Sequence, residues 1–102
     1  MHDKAMAALG VLRVTLHIPE SGSLKSKRHV IGGLLRRVRD EFKVSAAEVG
    51  ERDRWQLAEV AVACVSEDQT HAGEILNKVL RFVEHNAGEA MVSDVATEFL
   101  SL

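Results

Sequence analysis

Cysteine, aromatic residues and long apolar runs are all scarce in this sequence. Among 102 residues there are one cysteine, one tryptophan, three phenylalanines and no tyrosine. The lone cysteine, Cys64, excludes an internal disulfide framework and a metal cage built from cysteines alone. With only Phe42, Trp55, Phe82 and Phe99 available, the core must be aliphatic, made of Val, Leu, Ile and Ala. No stretch approaches the roughly 18 apolar residues of a membrane-spanning helix, so no membrane contact is expected. The first residues, Met1-His2-Asp3-Lys4-Ala5-Met6-Ala7-Ala8, lack the basic start and long apolar stretch of a secretory signal. The expected location is the cytoplasm.

What is present has the composition of an ordinary folded domain. The chain is 46% hydrophobic and 27% charged, which argues against wholesale disorder. Its length suits one domain able to bury a core without staples. Net charge is −2, but it is unevenly spread. Residues 1–43 carry nine Lys/Arg against four Asp/Glu, a balance of +5, whereas residues 44–102 carry four against eleven, a balance of −7. Such asymmetry points to a basic surface facing an anion, or to complementary surfaces in an assembly.

Leu12, Val14, Leu16 and Ile18 alternate with Arg13, Thr15 and His17, the period of a half-buried strand. Pro19 ends it, and Glu20-Ser21-Gly22-Ser23 reads as a turn. Ser23 is placed to cap a helix running to Phe42, with Leu24, Ile31, Leu34, Leu35, Val38 and Phe42 on one apolar face. Gly32 and Gly33 interrupt that helix at about 1 kcal/mol each relative to alanine. Close packing on a sheet would account for at least one of them. Val44 to Gly50 reads as a second strand, and Trp55 to Val65 as an interior strand covered at least partly on both faces. A second helix follows Ser66-Glu67-Asp68, carries Ala72, Ile75, Leu76, Val79, Leu80 and Val83 inward, and closes at Asn86 and Gly88. Met91 to Phe99 forms a last alternating strand.

The order is therefore βαββαβ. It predicts an α+β, ferredoxin-like sandwich: a four-stranded antiparallel sheet with both helices on one face, and Arg13, Thr15 and His17 on the other. Residues 1–8 are expected to be a flexible extension and residues 9–102 a single domain. Cys64, inside an apolar run, is expected to be a small core residue.

The strongest local feature is basic. Lys25, Arg28, Arg36, Arg39 and Lys43 fall on one stripe of the first helix, and Lys27 and Arg37 add to its charge. At 1.5 Å per residue the stripe is about 27 Å long, enough to follow a nucleic-acid backbone. The plainer reading is a solvated helix face, diluted by Asp40 and Glu41. An RNA-recognition-motif mode is not expected, because the strands offer only Phe99 and Trp55 for stacking. Trp55 reads first as a packed strand-edge residue; the alternative is an anchor in a subunit interface.

No catalytic or metal-binding pattern stands out. His2, His17, His29, His71 and His85 show no H-x-x-x-H spacing and adjoin no C-x-x-C. The serines lack a G-x-S-x-G setting, and no phosphate-binding glycine loop is present. Glu48 and Glu59 lie on neighbouring predicted strands, where ion pairing with residues such as Arg13 is the simplest expectation. No cofactor, metal or small-molecule substrate is predicted.

Taken together, Ser23-Leu24-Lys25-Ser26-Lys27-Arg28, Phe42-Lys43-Val44-Ser45-Ala46-Ala47-Glu48-Val49-Gly50, Trp55-Gln56 and the Ile75–Glu84 helix resemble the YlxP-like (DUF503) family of small bacterial proteins. The resemblance runs from about Gly10 to Leu100. It implies a ferredoxin-like fold and, because members tend to be encoded near translation and ribosome-maturation genes, an RNA or ribosomal partner. The expectation is a non-enzymatic protein contacting RNA through Lys25, Lys27, Arg28, Arg36, Arg37, Arg39 and Lys43. The alternative is a protein-interaction or ligand-binding module, a homo-oligomer using the sheet face and Trp55.

Overall fold

Alternation of apolar and polar side chains along residues 8–17 draws that segment into the central strand of a sheet. The computed structural model describes residues 7–102. Its elements are β1 (Ala8–His17), α1 (Leu24–Phe42), β2 (Ser45–Gly50), β3 (Leu57–Ser66), α2 (Gln69–Asn86) and β4 (Met91–Ser101). The strands form one sheet in the order β2-β3-β1-β4, with every adjacent pair antiparallel. This is the ferredoxin-like arrangement. The expected N-terminal extension, residues 1–8, lies outside the described residues up to residue 6. Ala8 already belongs to β1, paired with Ser66 and Ser101.

One face of the sheet makes the core. Leu12, Val14 and Leu16 of β1 and Ala58, Val60 and Val62 of β3 are almost wholly buried against the helices. They meet Ile31, Leu34 and Val38 from α1 and Ala72, Leu76, Val79 and Val83 from α2. Phe42 and Phe82 join the two helices edge to face, with ring centres 5.5 Å apart. Cys64 is buried in this core, as its apolar run predicts. Burial pushes its thiol pKa up, partly offset by the neighbouring Gly10 backbone.

The helix ends follow from the sequence. Ser23 is extended and its side chain accepts from the Ser26 N–H at 3.0 Å. α1 closes at Lys43, whose left-handed backbone (φ 55°) lets its N–H donate to the Arg39 carbonyl at 2.9 Å. Asp68 caps α2 by accepting from the His71 N–H at 2.8 Å. Gly88, at φ +65°, turns the chain toward β4.

Three expectations need correction. Gly32 and Gly33 are not explained by close packing: a Cβ at either position would meet nothing within 4 Å. The close helix–sheet approach is at Gly10, where a Cβ would lie 2.9 Å from Leu76 Cδ1 and 3.2 Å from the Phe99 ring. Trp55 is not core. β3 begins at Leu57, and Trp55 sits in the preceding loop, 54% exposed. Finally, β3 is interior, as its apolar run predicts, but only its helix-facing side carries a covering layer. Val65, on the other side, is 67% exposed.

Candidate nucleic-acid interface

A helix that presents one third of its circumference to the core leaves the rest to solvent, and α1 fills that remainder with cations. At 3.6 residues per turn, Lys25, Arg28, Gly32, Arg36 and Arg39 fall within a sector roughly 80° wide, and Lys43 follows at the C-cap. These five basic side chains are all exposed. None forms an ion pair with a carboxylate among the described residues. The sector lies on the β2 side of the helix, where Arg39 Nη1 donates to the Ala46 carbonyl at 2.9 Å. Gly32 leaves a shallow gap midway along it.

Two of the predicted residues do not belong to this surface. Arg37 is exposed on the opposite flank, facing α2, and donates to the Asn86 carbonyl at 3.0 Å. There it meets the negative end of the α2 dipole. Lys27 is removed from solvent altogether, with 0% exposure. Its Nζ donates to the carbonyls of Glu51 (2.7 Å), Leu57 (3.1 Å) and Arg52 (3.4 Å). Glu48 Oε2 lies 2.9 Å away as the counter-charge. An ammonium has three N–H groups, and the three carbonyls use them. Glu48 is therefore held by charge rather than by a directed bond of its own. Burial of this kind rules out Lys27 as an anion-binding residue. The signal was available in the sequence: Lys27 precedes Ile31, Leu34 and Val38 by four, seven and eleven residues, which puts it on the apolar face.

Glu48 and Glu59 lie on opposite faces of the sheet. Glu59 pairs across the open face with Arg13, whose Nη2 and Nε lie 2.6 and 3.0 Å from the same carboxylate oxygen. That face also exposes apolar side chains, Val65 and Leu100 among them.

The loop between β2 and β3 is tightly held. Lys27 binds its carbonyls at both ends. Gln56 Nε2 donates to the Pro19 and Ser21 carbonyls at 3.1 and 3.4 Å, and the Gln56 carbonyl accepts from the Ile18 N–H at 2.8 Å. Trp55 stands out from this fixed backbone beside a hollow of about 420 Å³ lined by His17, Arg54, Trp55, Gln56 and Leu57. A second hollow, of about 410 Å³, lies between α1 and the α2–β4 turn; Ile18, His29, Gly33, Arg37 and Ala90 line it, with Glu20 and Glu89 also present.

Among the described residues, no three His, Cys, Asp or Glu side chains cluster as metal ligands. Ser66 Oγ lies 2.5 Å from His71 Nδ1, at the surface where β3 meets α2. Among the described residues, no helix is long and apolar enough to cross a membrane.

Residues 9–97 match the family described as "Protein of unknown function (DUF503)". "Uncharacterized protein YlxP" of Bacillus subtilis (strain 168) is 39% identical over 67 residues, which cover 66% of this chain and 73% of the relative. Among solved structures, "De novo designed protein Foldit4" superposes with a TM-score of 0.55 at 15% identity, over 94% of this chain and 98% of that one. SnoaB, described as a cofactor-independent oxygenase from Streptomyces nogalater, superposes with a TM-score of 0.53 at 16% identity, over 96% and 94%. At these identities the two structures share a fold with this chain and nothing more.

Proposed function

This chain belongs to the DUF503 family, and we propose that it acts without catalysis as an RNA-associating protein, meeting RNA or a ribosomal assembly through the outer side of α1. One observation carries the proposal. Lys25, Arg28, Arg36 and Arg39 share one exposed sector of α1 and Lys43 follows at its C-cap, with no carboxylate partner for any of them among the described residues. Cations so arranged gain most from a ligand that offers regularly spaced negative charge, and a phosphodiester backbone does so. The acidic surplus of residues 44–102 keeps the rest of the surface from competing. This reading places the protein in the cytoplasm, with RNA.

The test is the salt dependence of binding to bulk RNA. Five phosphate contacts on a single strand predict a slope of log K against log salt of about −3.5, or roughly a hundredfold loss between 50 and 200 mM. Absence of binding at low salt refutes the reading, because a charge-driven contact is strongest there.

A second reading has its own observation. The face of the sheet away from the helices has no layer over it and exposes Val65 and Leu100. Pairing of that face with a second copy would bury them. Sedimentation across a concentration series separates the two readings: a strict monomer at high concentration removes the oligomer.

A further inference from the structure

We propose that the hollow beside Trp55 is a base-stacking site that receives one unstacked nucleobase of a single-stranded RNA. The inference rests on the RNA reading above and adds where, and on what chemistry, the strand is gripped. Trp55 is the only tryptophan of the chain, yet it is more than half exposed. A large apolar ring left in water is unfavourable, and here it cannot relax inward. Gln56, next to it, is fixed by three hydrogen bonds to residues 18–21. The carbonyls of Glu51, Arg52 and Leu57 are tied to the buried Lys27 ammonium. The backbone that carries the indole is therefore fixed, which lowers the ordering cost of anything that stacks on it.

The surroundings favour a planar anionic ligand over an apolar protein partner. Arg54, His17 and Gln56 line the hollow with Leu57, so a ring on Trp55 would have a guanidinium, an imidazole and an amide at its edges. Arg54 is committed only to an exposed contact with Glu51 at 3.5 Å, easily exchanged for a phosphate. The volume, about 420 Å³, is that of a small-molecule cleft. Position supports the same ligand. Lys25 and Arg28 flank Lys27 on the first turns of α1, and Lys27 reaches directly into the Trp55 loop. The cationic sector thus begins at the same end of the molecule as the Trp55 platform, on the helix side of the sheet, while His17 and Leu57 belong to its open face. Stacking on aromatic side chains is the sequence-tolerant way to hold single strands, because every base has a π face.

Emission from the lone tryptophan reports on this site alone. The full chain is titrated with single-stranded oligo(A), with double-stranded RNA and with adenosine monophosphate, while labelled oligo(A) is followed in parallel by anisotropy. The expected result is quenching by oligo(A) with the same midpoint as the anisotropy curve, and little quenching by the duplex. Trp55→Ala should weaken oligo(A) binding by roughly 5- to 150-fold, and Trp55→Phe should retain most of it. If oligo(A) binds but leaves the emission unchanged, and Trp55→Ala binds as tightly as the parent, the stacking site is refuted while the RNA reading stands. If adenosine monophosphate quenches but no RNA binds, the base site stands and the RNA reading falls. If no nucleotide quenches and Trp55→Ala abolishes self-association instead, Trp55 is a subunit anchor and the inference is overturned. An unchanged circular dichroism spectrum confirms that the exposed substitution leaves the fold intact.

Discussion

Lys27 Nζ and Glu48 Oε2 meet 2.9 Å apart inside the protein, the lysine fully buried and the carboxylate nearly so. The contact joins the two short stretches that mark the family resemblance. Lys27 belongs to Ser23-Leu24-Lys25-Ser26-Lys27-Arg28, and Glu48 to Ala47-Glu48-Val49-Gly50. Ser23 of the first stretch is the helix cap, and a Cβ at Gly50 of the second would collide with the Glu59 side chain. Several of the most recognisable residues of the chain thus hold α1, β2 and the β2–β3 loop together.

Lys27→Met should therefore cost about 3–5 kcal/mol, because it leaves a buried carboxylate without its counter-charge. Urea unfolding measures this. Adding Glu48→Met should recover part of the loss, since the stranded charge goes with it. The salt slope of RNA binding by the folded Lys27→Met protein should match the parent's, because no exposed cation is lost, and any loss of affinity should come from the loosened Trp55 loop without a change in slope. A matching loss of affinity and salt slope would return Lys27 to the binding surface.

The glycines give a test with opposite signs. Gly32→Ala and Gly33→Ala should each stabilise by about 0.5–1 kcal/mol, because a methyl group there meets nothing and the unfolded chain loses freedom. Gly10→Ala should destabilise by about 1 kcal/mol or more, since its Cβ would press on Leu76 in the packed core. Thermal unfolding of the three variants reads this directly. If Gly32→Ala also weakens RNA binding, the gap in the basic sector is used for close approach of the backbone.

Much of this was legible in residue spacing. The period of two from Leu12 to Ile18 and the helical period from Leu24 to Phe42 fix β1, α1 and the side each buries. They also place Lys27 among Ile31, Leu34 and Val38, although a reading by charge groups it with Lys25 and Arg28. The partner of Lys27 was not legible. Glu48 is twenty-one residues away, and strand register alone brings it under the helix. Composition misplaces Trp55 for a related reason. The apolar run from Leu57 extends back through it by composition, but Lys27 and Gln56 stop the strand two residues later. Local pattern carries no record of hydrogen bonds made across the fold.

Cys64 predicts a pH effect. Burial raises its pKa above the ordinary thiol value, so the native state holds its proton more tightly than the unfolded chain does. Above the ordinary thiol pKa the unfolded chain ionises first, and stability falls as pH rises toward the native value. Cys64→Ala should lessen that alkaline decline in urea midpoints. A thiol reagent at neutral pH should react with the native protein slowly and with the urea-unfolded chain at once.

The exposed cations can be separated from the buried and diverted ones by their salt slopes. If Arg28 and Arg36 each neutralise one phosphate, replacing either by alanine should reduce the slope of log K against log salt by about 0.7 on a single strand. The double variant should lose about 1.4. Stability should scarcely change, because both side chains are exposed and neither holds an ion pair among the described residues. Arg37→Ala serves as the control. That guanidinium lies on the α2 flank and bonds the Asn86 carbonyl, so its loss should leave the slope as it was and lower stability slightly. Equal effects of Arg37→Ala and Arg36→Ala on the slope would mean that RNA responds to the overall charge of α1, and the sector facing β2 would lose its special standing.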